Sequence, residues 1–300
     1  MKTCEVYAPM LVTWRYRDRN TLIQKLDPRA RILFMLAMLA SIIQFWDLRV
    51  ILVFLGIALG QYALARLTWR ETRRAWLVLG LLITFMTVLT FLTGRGGVGT
   101  AYAQEHVLTR LGPLTLPLVG WQIGLDITAE KTVFAVSQMA RMFAISALAI
   151  TIPYTVDPSL YGVIFRGLGL PDKFAYAMDL AFRFVPTLGR DFSITLDAQR
   201  ARGYEVERVE GGIVAQIRKL APLLVPVTIN AIVGGEDIVD AMDLRCFGVG
   251  PRTWVRQLHY RRADRLLIAF SVALFLASTA ASISGFGRLW VPAWLLAMAG

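Results

Sequence analysis

The chain has 300 residues, 56% of them hydrophobic and only 18% charged, with a mean hydropathy of +0.55, a balance that excludes an ordinary soluble domain and points to a membrane protein. Its net charge of +11 would suit nucleic acid, but the aromatic-basic interleaving of single-strand binders is missing, and cytoplasmic loops held against anionic headgroups explain a basic surface on an apolar chain. The two cysteines, Cys4 and Cys246, have no CxxC spacing and imply neither a disulfide framework nor a zinc site.

The opening MKTCEVYAPMLVTWRYRDRN scatters its charges and has no compact apolar run closed by a small-residue site, so no cleaved signal peptide is expected. A spanning helix needs about 20 mostly apolar residues, because the hydrocarbon core is about 30 Å thick and each residue rises about 1.5 Å. ILFMLAMLASIIQFW (32–46) and VILVFLGIALGQYALA (50–65) are separated by a turn so short that they read as an antiparallel hairpin. AWLVLGLLITFMTVLTFLT (75–93) is the cleanest span. A glycine- and proline-rich loop follows, whose two apolar stretches are too short to cross. The fourth span covers about 130–152 and the fifth 266–283, while the terminal WVPAWLLAMAG is too short to cross unaided. The expected fold is therefore all-α, a polytopic helical membrane protein with five transmembrane helices, or six if the tail crosses.

Lysine and arginine outside the spans orient the chain, since cytoplasmic loops carry the excess. The tail before the first span has seven, RLTWRETRR four and residues 153–265 fifteen, whereas the opposite side carries few. The N-terminus and residues 153–265 are thus expected inside. Three regions follow: the tail and first four spans (1–152), a cytoplasmic coupling module of three helices (153–263), and the last span with its tail (264–300).

The module is apolar on more than one helix face. DPSLYGVIFRGLGLP reads as a short amphipathic helix with Pro158 in its first turn and Gly167, Gly169 and Pro171 as its stop. Residues 174–203 read as one long helix kinked near Pro186, and residues 213–248 as a second, bent near Pro222 and Pro226 and loosened at Gly234 and Gly235. These three prolines are the candidate hinges. At about 1.5 Å per residue, each helix reaches over roughly 40 Å.

Catalytic constellations are thin. His106 and His259 have no cysteine, serine or carboxylate partners in motif spacing and read as solvated loop residues. Glu236, Asp237, Asp240 and Asp243 could be imagined as metal ligands, but i,i+3 spacing makes them the polar face of a helix. GRGGVG at 94–99 lacks the GK[ST] of a phosphate loop, so no nucleotide, cofactor or metal site is expected on this chain and any ATP belongs to a partner. Arg141, within the fourth span, is either a functional intramembrane charge or an arginine that snorkels or pairs inside the bundle; Glu130, Lys131 and Gln138 favour the second.

One pattern occurs twice. AQRARGY (198–204) and AMDLRCF (241–247) both give alanine, three residues, arginine, a small residue and an aromatic, each at the end of a long helix. A single arginine there would be a solvated cation favoured by the helix dipole by about 0.3–1 kcal/mol. Two equivalent cationic ends suit a partner with two equivalent acidic grooves, such as a dimer, because arginine presents a planar, permanently charged fork to carboxylates. Gly203 can take φ > 0 at the helix end.

At these residues the chain resembles the T component, the transmembrane coupling protein, of energy-coupling-factor (ECF) vitamin and metal-ion importers. LDPRARIL (26–33), TIPYTVDPSLYGVIFRGLGLP (151–171), AFRFVPTL (181–188) and AQRARG (198–203) resemble its motifs, over roughly residues 20–284. The first Ala-Arg-Gly motif, Ala201-Arg202-Gly203, is unaltered; the second reads Leu244-Arg245-Cys246, keeping the arginine and losing its neighbours. The resemblance implies two ABC-type ATPase subunits that carry ATP and Mg, one docked at Arg202 and the other at Arg245. It also implies a membrane-embedded substrate-binding subunit packed on the same helices, and uptake of a vitamin or metal ion. The rival readings are a secondary transporter, which should show inverted repeats and broken spans near the midplane, and a membrane-embedded enzyme, which should cluster His, Asp or Glu at one depth.

Overall fold

The computed structural model describes residues 16, 18–93, 107–109, 113–116, 121–124, 127–204, 213–250, 254–287 and 290–293. Cys4, His106 and the run 94–99 lie outside them. In chain order the helices are α1 (Pro28–Gln44), α2 (Leu48–Leu64), α3 (Trp69–Thr93), α4 (Ala129–Thr155), α5 (Tyr161–Gly167), α6 (Asp172–Ala201), α7 (Ile213–Leu244) and α8 (Arg262–Ile283). Between α3 and α4 the expected loop carries four short strands, β1 (Val107–Thr109), β2 (Pro113–Leu116), β3 (Trp121–Gly124) and β4 (Ile127–Thr128). They pair antiparallel, β2 with β3 inside β1 with β4. Hydrogen bonding between these strands satisfies backbone that a bare loop would leave to solvent. Residues 16–156 with 259–300 form one compact unit and residues 157–258 another.

Among the described residues, four helical stretches are long and apolar enough to cross a membrane: Trp69–Phe91, Ala129–Thr155, Ala221–Leu244 and Arg262–Ile283. Three of these, in α3, α4 and α8, coincide with expected spans. At 17 residues each, α1 and α2 reach about 26 Å, short of a core of about 30 Å. The Ala221–Leu244 stretch belongs to α7, in the segment the sequence assigns to the cytoplasmic side, and its apolar run ends at Glu236 and Asp237.

In the larger unit, α1 and α2 join through Phe45–Asp47, yet α1 packs mainly on α8 and α2 on α4. The core interleaves Phe34, Met38 and Ile42 of α1 and Phe45 just after it with Phe54 and Ala58 of α2 and Ala144, Ala147 and Leu148 of α4. Alanines at the α2–α4 seam let the helix backbones approach, the packing that drives association where lipid is as apolar as the partner. Across the α1–α8 seam Ser278 Oγ donates to Ser41 Oγ at 3.0 Å and Gln44 Nε2 to Thr279 Oγ1 at 3.2 Å, each worth about 0.6 kcal/mol in hydrocarbon.

Helix ends at one edge of this unit are tied to one another. Asp27 caps α1 by accepting from the Arg29 amide, while its own amide donates to Asp264 Oδ1 at 2.7 Å. The other oxygen of Asp264 accepts from the Arg261 amide at 2.7 Å, capping α8. Arg31, buried, donates to the Thr155 carbonyl that ends α4. LDPRARIL thereby joins α1, α4 and α8 through charged hydrogen bonds that satisfy helix-terminal groups. Arg141 serves the far end of α1: it donates to the Phe45 carbonyl and to Gln138 Oε1 (3.1 Å), and it lies 4.4 Å over the Trp46 ring. Its charge is paired within the bundle, against the negative end of a helix dipole.

In the smaller unit, Asp157 caps a 3-10 turn (Pro158–Leu160) that leads into α5, and Gly169, at φ +97°, ends α5 before Pro171 starts α6. Helices α5 and α6 cross closely at Gly162, where an added Cβ would lie 2.5 Å from Asp179 Cβ and 2.9 Å from the Ala175 carbonyl oxygen. Both neighbours belong to the α6 main chain or its first side-chain atom and cannot rotate away. Gly162→Ala should therefore force the helices apart and cost about 1–3 kcal/mol, read as a lower thermal midpoint of the detergent-solubilised protein. An unchanged midpoint would mean the crossing is looser than this geometry.

Candidate docking site at two arginine-capped helix ends

Helix α6 is 30 residues long and α7 is 32. Pro186 lies near the middle of α6, and Pro222 and Pro226 lie in the first half of α7; both helices run continuously through their prolines. Pro186 cannot donate to the Phe182 carbonyl, so that turn lacks one rung of its ladder without interrupting the helix.

The two helix ends share one backbone construction. At the end of α6, Arg202 is the C-cap (φ −83°, ψ 6°), the Gly203 amide donates to Arg200 O at 2.9 Å and the Tyr204 amide to Gln199 O at 3.0 Å. At the end of α7, the Cys246 amide donates to Asp243 O at 2.9 Å and the Phe247 amide to Met242 O at 3.0 Å. Each is the paired-bond motif that closes a helix with one left-handed residue, Gly203 at φ +81° and Cys246 at φ +53°. Arginine, left-handed residue and aromatic hold equivalent places in both. The loss of glycine at 246 has not changed the cap, because the hydrogen bonds hold Cys246 where an L-residue is disfavoured by roughly 1–2 kcal/mol. Gly169 and Gly285 close α5 and α8 with the same bonds and no arginine at the cap. What sets the α6 and α7 ends apart is the arginine.

From this follows an expected gain: Cys246→Gly should raise stability by about 0.5–1 kcal/mol by relieving the left-handed strain. Thermal unfolding of the purified protein reads it, and a fall would show that the cysteine side chain contributes packing that exceeds the strain.

Arg202, Arg245, Ala201 and Leu244 are all exposed, and among the described residues neither arginine has an acidic partner. Leu244 stands 87% exposed, an apolar residue left bare beside a cation. The ends differ in support. A Cβ built on Gly203 meets nothing within 4 Å, whereas Phe247 packs on Tyr176 of α6 with ring centroids 4.8 Å apart, and Tyr176 Oη donates to Met242 Sδ at 3.6 Å. The α7 end thus rests on the first turns of α6. Arg202 stands at the other end of α6, roughly 39 Å beyond Tyr176 at about 1.5 Å per residue. This joint was not singled out in sequence, although the aromatic after each arginine was its visible trace.

Glu236, Asp237, Asp240 and Asp243 are exposed along α7, and among the described residues no three His, Cys, Asp or Glu side chains group to hold a metal. His259 is exposed.

Comparison with known proteins fits these features. A family model described as cobalt transport protein, CbiQ, matches residues 19–255. The energy-coupling factor transporter transmembrane protein EcfT of Thermosediminibacter oceani is 31% identical over 270 residues, covering 88% of this chain and 94% of that protein. EcfT of Lactococcus lactis is 27% identical over 269 residues, covering 85% and 91%. A Bifidobacterium longum protein, whose name describes an ABC transporter ATP-binding protein, is 24% identical over 271 residues, which cover 86% of this chain and 32% of that longer one.

Proposed function

Because this chain belongs to the CbiQ family, as a T component of an energy-coupling-factor transporter, we propose that it is the subunit through which two ABC-type ATPases drive a membrane-embedded substrate-binding subunit to deliver a vitamin or metal ion inward. The observation that carries this reading is the duplicated helix end, with the same cap, the same arginine and the same exposure at Arg202 and Arg245. A pair of ATPases offers a pair of equivalent grooves, and an arginine fork suits a carboxylate in each. Ala201, Gly203, Leu244 and Cys246 flank the two contacts. ATP and Mg are held by the partners, where hydrolysis takes place.

The proposed topology places the N-terminus and the coupling module of residues 153–263 on the cytoplasmic side. Bare apolar side chains on α7, among them Leu224, Val225, Ile229, Ile232 and Val233, offer the face on which the substrate-binding subunit would pack. Pro186, Pro222 and Pro226 supply the compliance of the two long helices.

Purification of the native complex in mild detergent, with its components identified by mass spectrometry, tests the assignment. Two ATPase chains and one small polytopic membrane protein are expected with this chain. Recovery with a coupling ion but no ATPase, and uptake insensitive to ATP depletion, would establish a secondary transporter instead.

A further inference from the structure

The first turns of α5 and α6, the end of α7 and residues 254–256 enclose a cavity of about 860 Å3, at the upper end of the range for ligand clefts. Among the described residues, its charged lining is Arg183, Arg245 and Arg256 against the single carboxylate of Asp179. Arg183 Nη2 holds Asp179 Oδ2 at 2.8 Å, and Arg256 Nη1 donates to Ser159 Oγ at 2.8 Å. Each guanidinium has five N–H donors, more than these contacts use. The indole Nε1 of Trp254 is shielded from solvent and, among the described residues, has no acceptor, a donor whose burial is costly until an acceptor arrives. The carboxylates of α7 do not line the cavity.

The mouth has a different character. Val255, on the lining, is fully exposed at 102%, and Leu244 and Val249, chain neighbours of the lining residues Arg245, Gly248 and Gly250, are 87% and 83% exposed. A small free anion would gain from the arginines and nothing from these side chains. A peptide carrying carboxylates on an apolar stretch would use both, since interfaces combine a charged or hydrogen-bonded anchor with desolvated apolar contact.

Resting on the reading of Arg245 as an ATPase contact, we propose that this cavity is a receptor for an acidic segment of the ATPase partner. The segment places its carboxylate on Arg245, Arg256 and Trp254 Nε1 and its apolar flank on Val255. At this end the partner therefore enters the chain, and the arginine is one wall of a socket. Arg202, with open space around Gly203, keeps the simpler role of a projecting cation.

The test uses the assembled transporter in mild detergent. Arg256→Glu should lower ATPase retention by at least about tenfold, a size ordinary for reversing one partner of a desolvated charge pair, while Arg256→Lys should lower it less and Trp254→Phe should also weaken it. A photo-crosslinking amino acid at Val255 should label the ATPase within a stretch containing Asp or Glu. If Arg256→Glu and Trp254→Phe retain the ATPase fully while Arg245→Glu loses it, the socket is wrong and the arginine contact stands alone. If Arg202→Glu and Arg245→Glu also retain it, the docking reading falls with the socket. Label found only on lipid or on the substrate-binding subunit overturns the proposal. So does Arg256-dependent stabilisation by inorganic phosphate when ATPase retention does not depend on Arg256, which would identify a small-anion site.

Discussion

Charge reversal at either helix end, Arg202→Glu or Arg245→Glu, is expected to strip the ATPase pair from the purified complex and abolish ATP-driven uptake, with the protein still inserted and folded. Replacing a cation at a desolvated contact by an anion removes one favourable pair and creates a repulsive one. That is worth about 2–5 kcal/mol, or roughly thirty- to several-thousand-fold in affinity. The cost to the fold is much smaller. Both side chains are exposed, and an anion at a helix C-terminus loses about 0.3–1 kcal/mol to the dipole. Arg→Lys at the same sites should give intermediate retention, because lysine keeps the charge and loses the planar fork. The measurement is ATPase recovered per transmembrane subunit, alongside ATP-dependent uptake in reconstituted vesicles. Normal recovery and uptake in both reversals would sink the docking assignment.

The largest stability effect is expected at Asp264. Its carboxylate is almost wholly buried and accepts from two backbone amides, Asp27 and Arg261, at 2.7 Å each. Asp264→Ala leaves both donors without that acceptor, at about 1–3 kcal/mol apiece, against a total stability of about 5–15 kcal/mol for a typical domain. It also cuts the tie between the starts of α1 and α8. Detergent-solubilised protein should show a clearly lowered thermal midpoint and reduced yield. Asp264→Asn, which keeps one carbonyl acceptor in place, should recover part of the loss. A wild-type midpoint for the alanine variant would mean that water replaces the carboxylate at no cost and that the tie is not structural.

Much of this fold is legible in the sequence. The candidate spans α3, α4 and α8 follow from apolar runs long enough for a bilayer, interrupted in α4 by Arg141. The long helices α6 and α7 follow from their extended, largely apolar runs, with Gly203 marking the end of the first. The paired arginines were visible as a repeated pattern, and their placement at helix ends needed only a reading of where those helices stop. What was hidden depends on partners distant in the chain or on backbone detail. LDPRARIL shows its charges, but the amide of Asp27 meets a carboxylate 237 positions away, and no local pattern announces that. Cys246 departs from the expected glycine, and only the hydrogen bonds of the α7 cap show that the backbone keeps its left-handed turn. The strands between Val107 and Thr128 are too short for a period-two signal to rise above the surrounding glycines and prolines. At Arg141, composition left two roles open, and the carbonyl ending α1 decided between them.

The joint between Phe247 and Tyr176 places the α7 end on one extremity of α6, and Arg202 terminates the other. With both ends docked as proposed, α6 behaves as a beam loaded at its two tips. Tips drawn in the same direction produce their greatest bending moment at mid-length, and tips drawn oppositely produce a torque that rotates the rod about the same point. Mid-length of Asp172–Ala201 falls at Pro186, where the missing amide has removed a rung and with it some resistance to flexure. The position of that proline makes α6 softest where the load would concentrate. Closing motions of the ATPases would then emerge as curvature or rotation at the centre of the helix, about 24 Å from Arg202 at about 1.5 Å per residue.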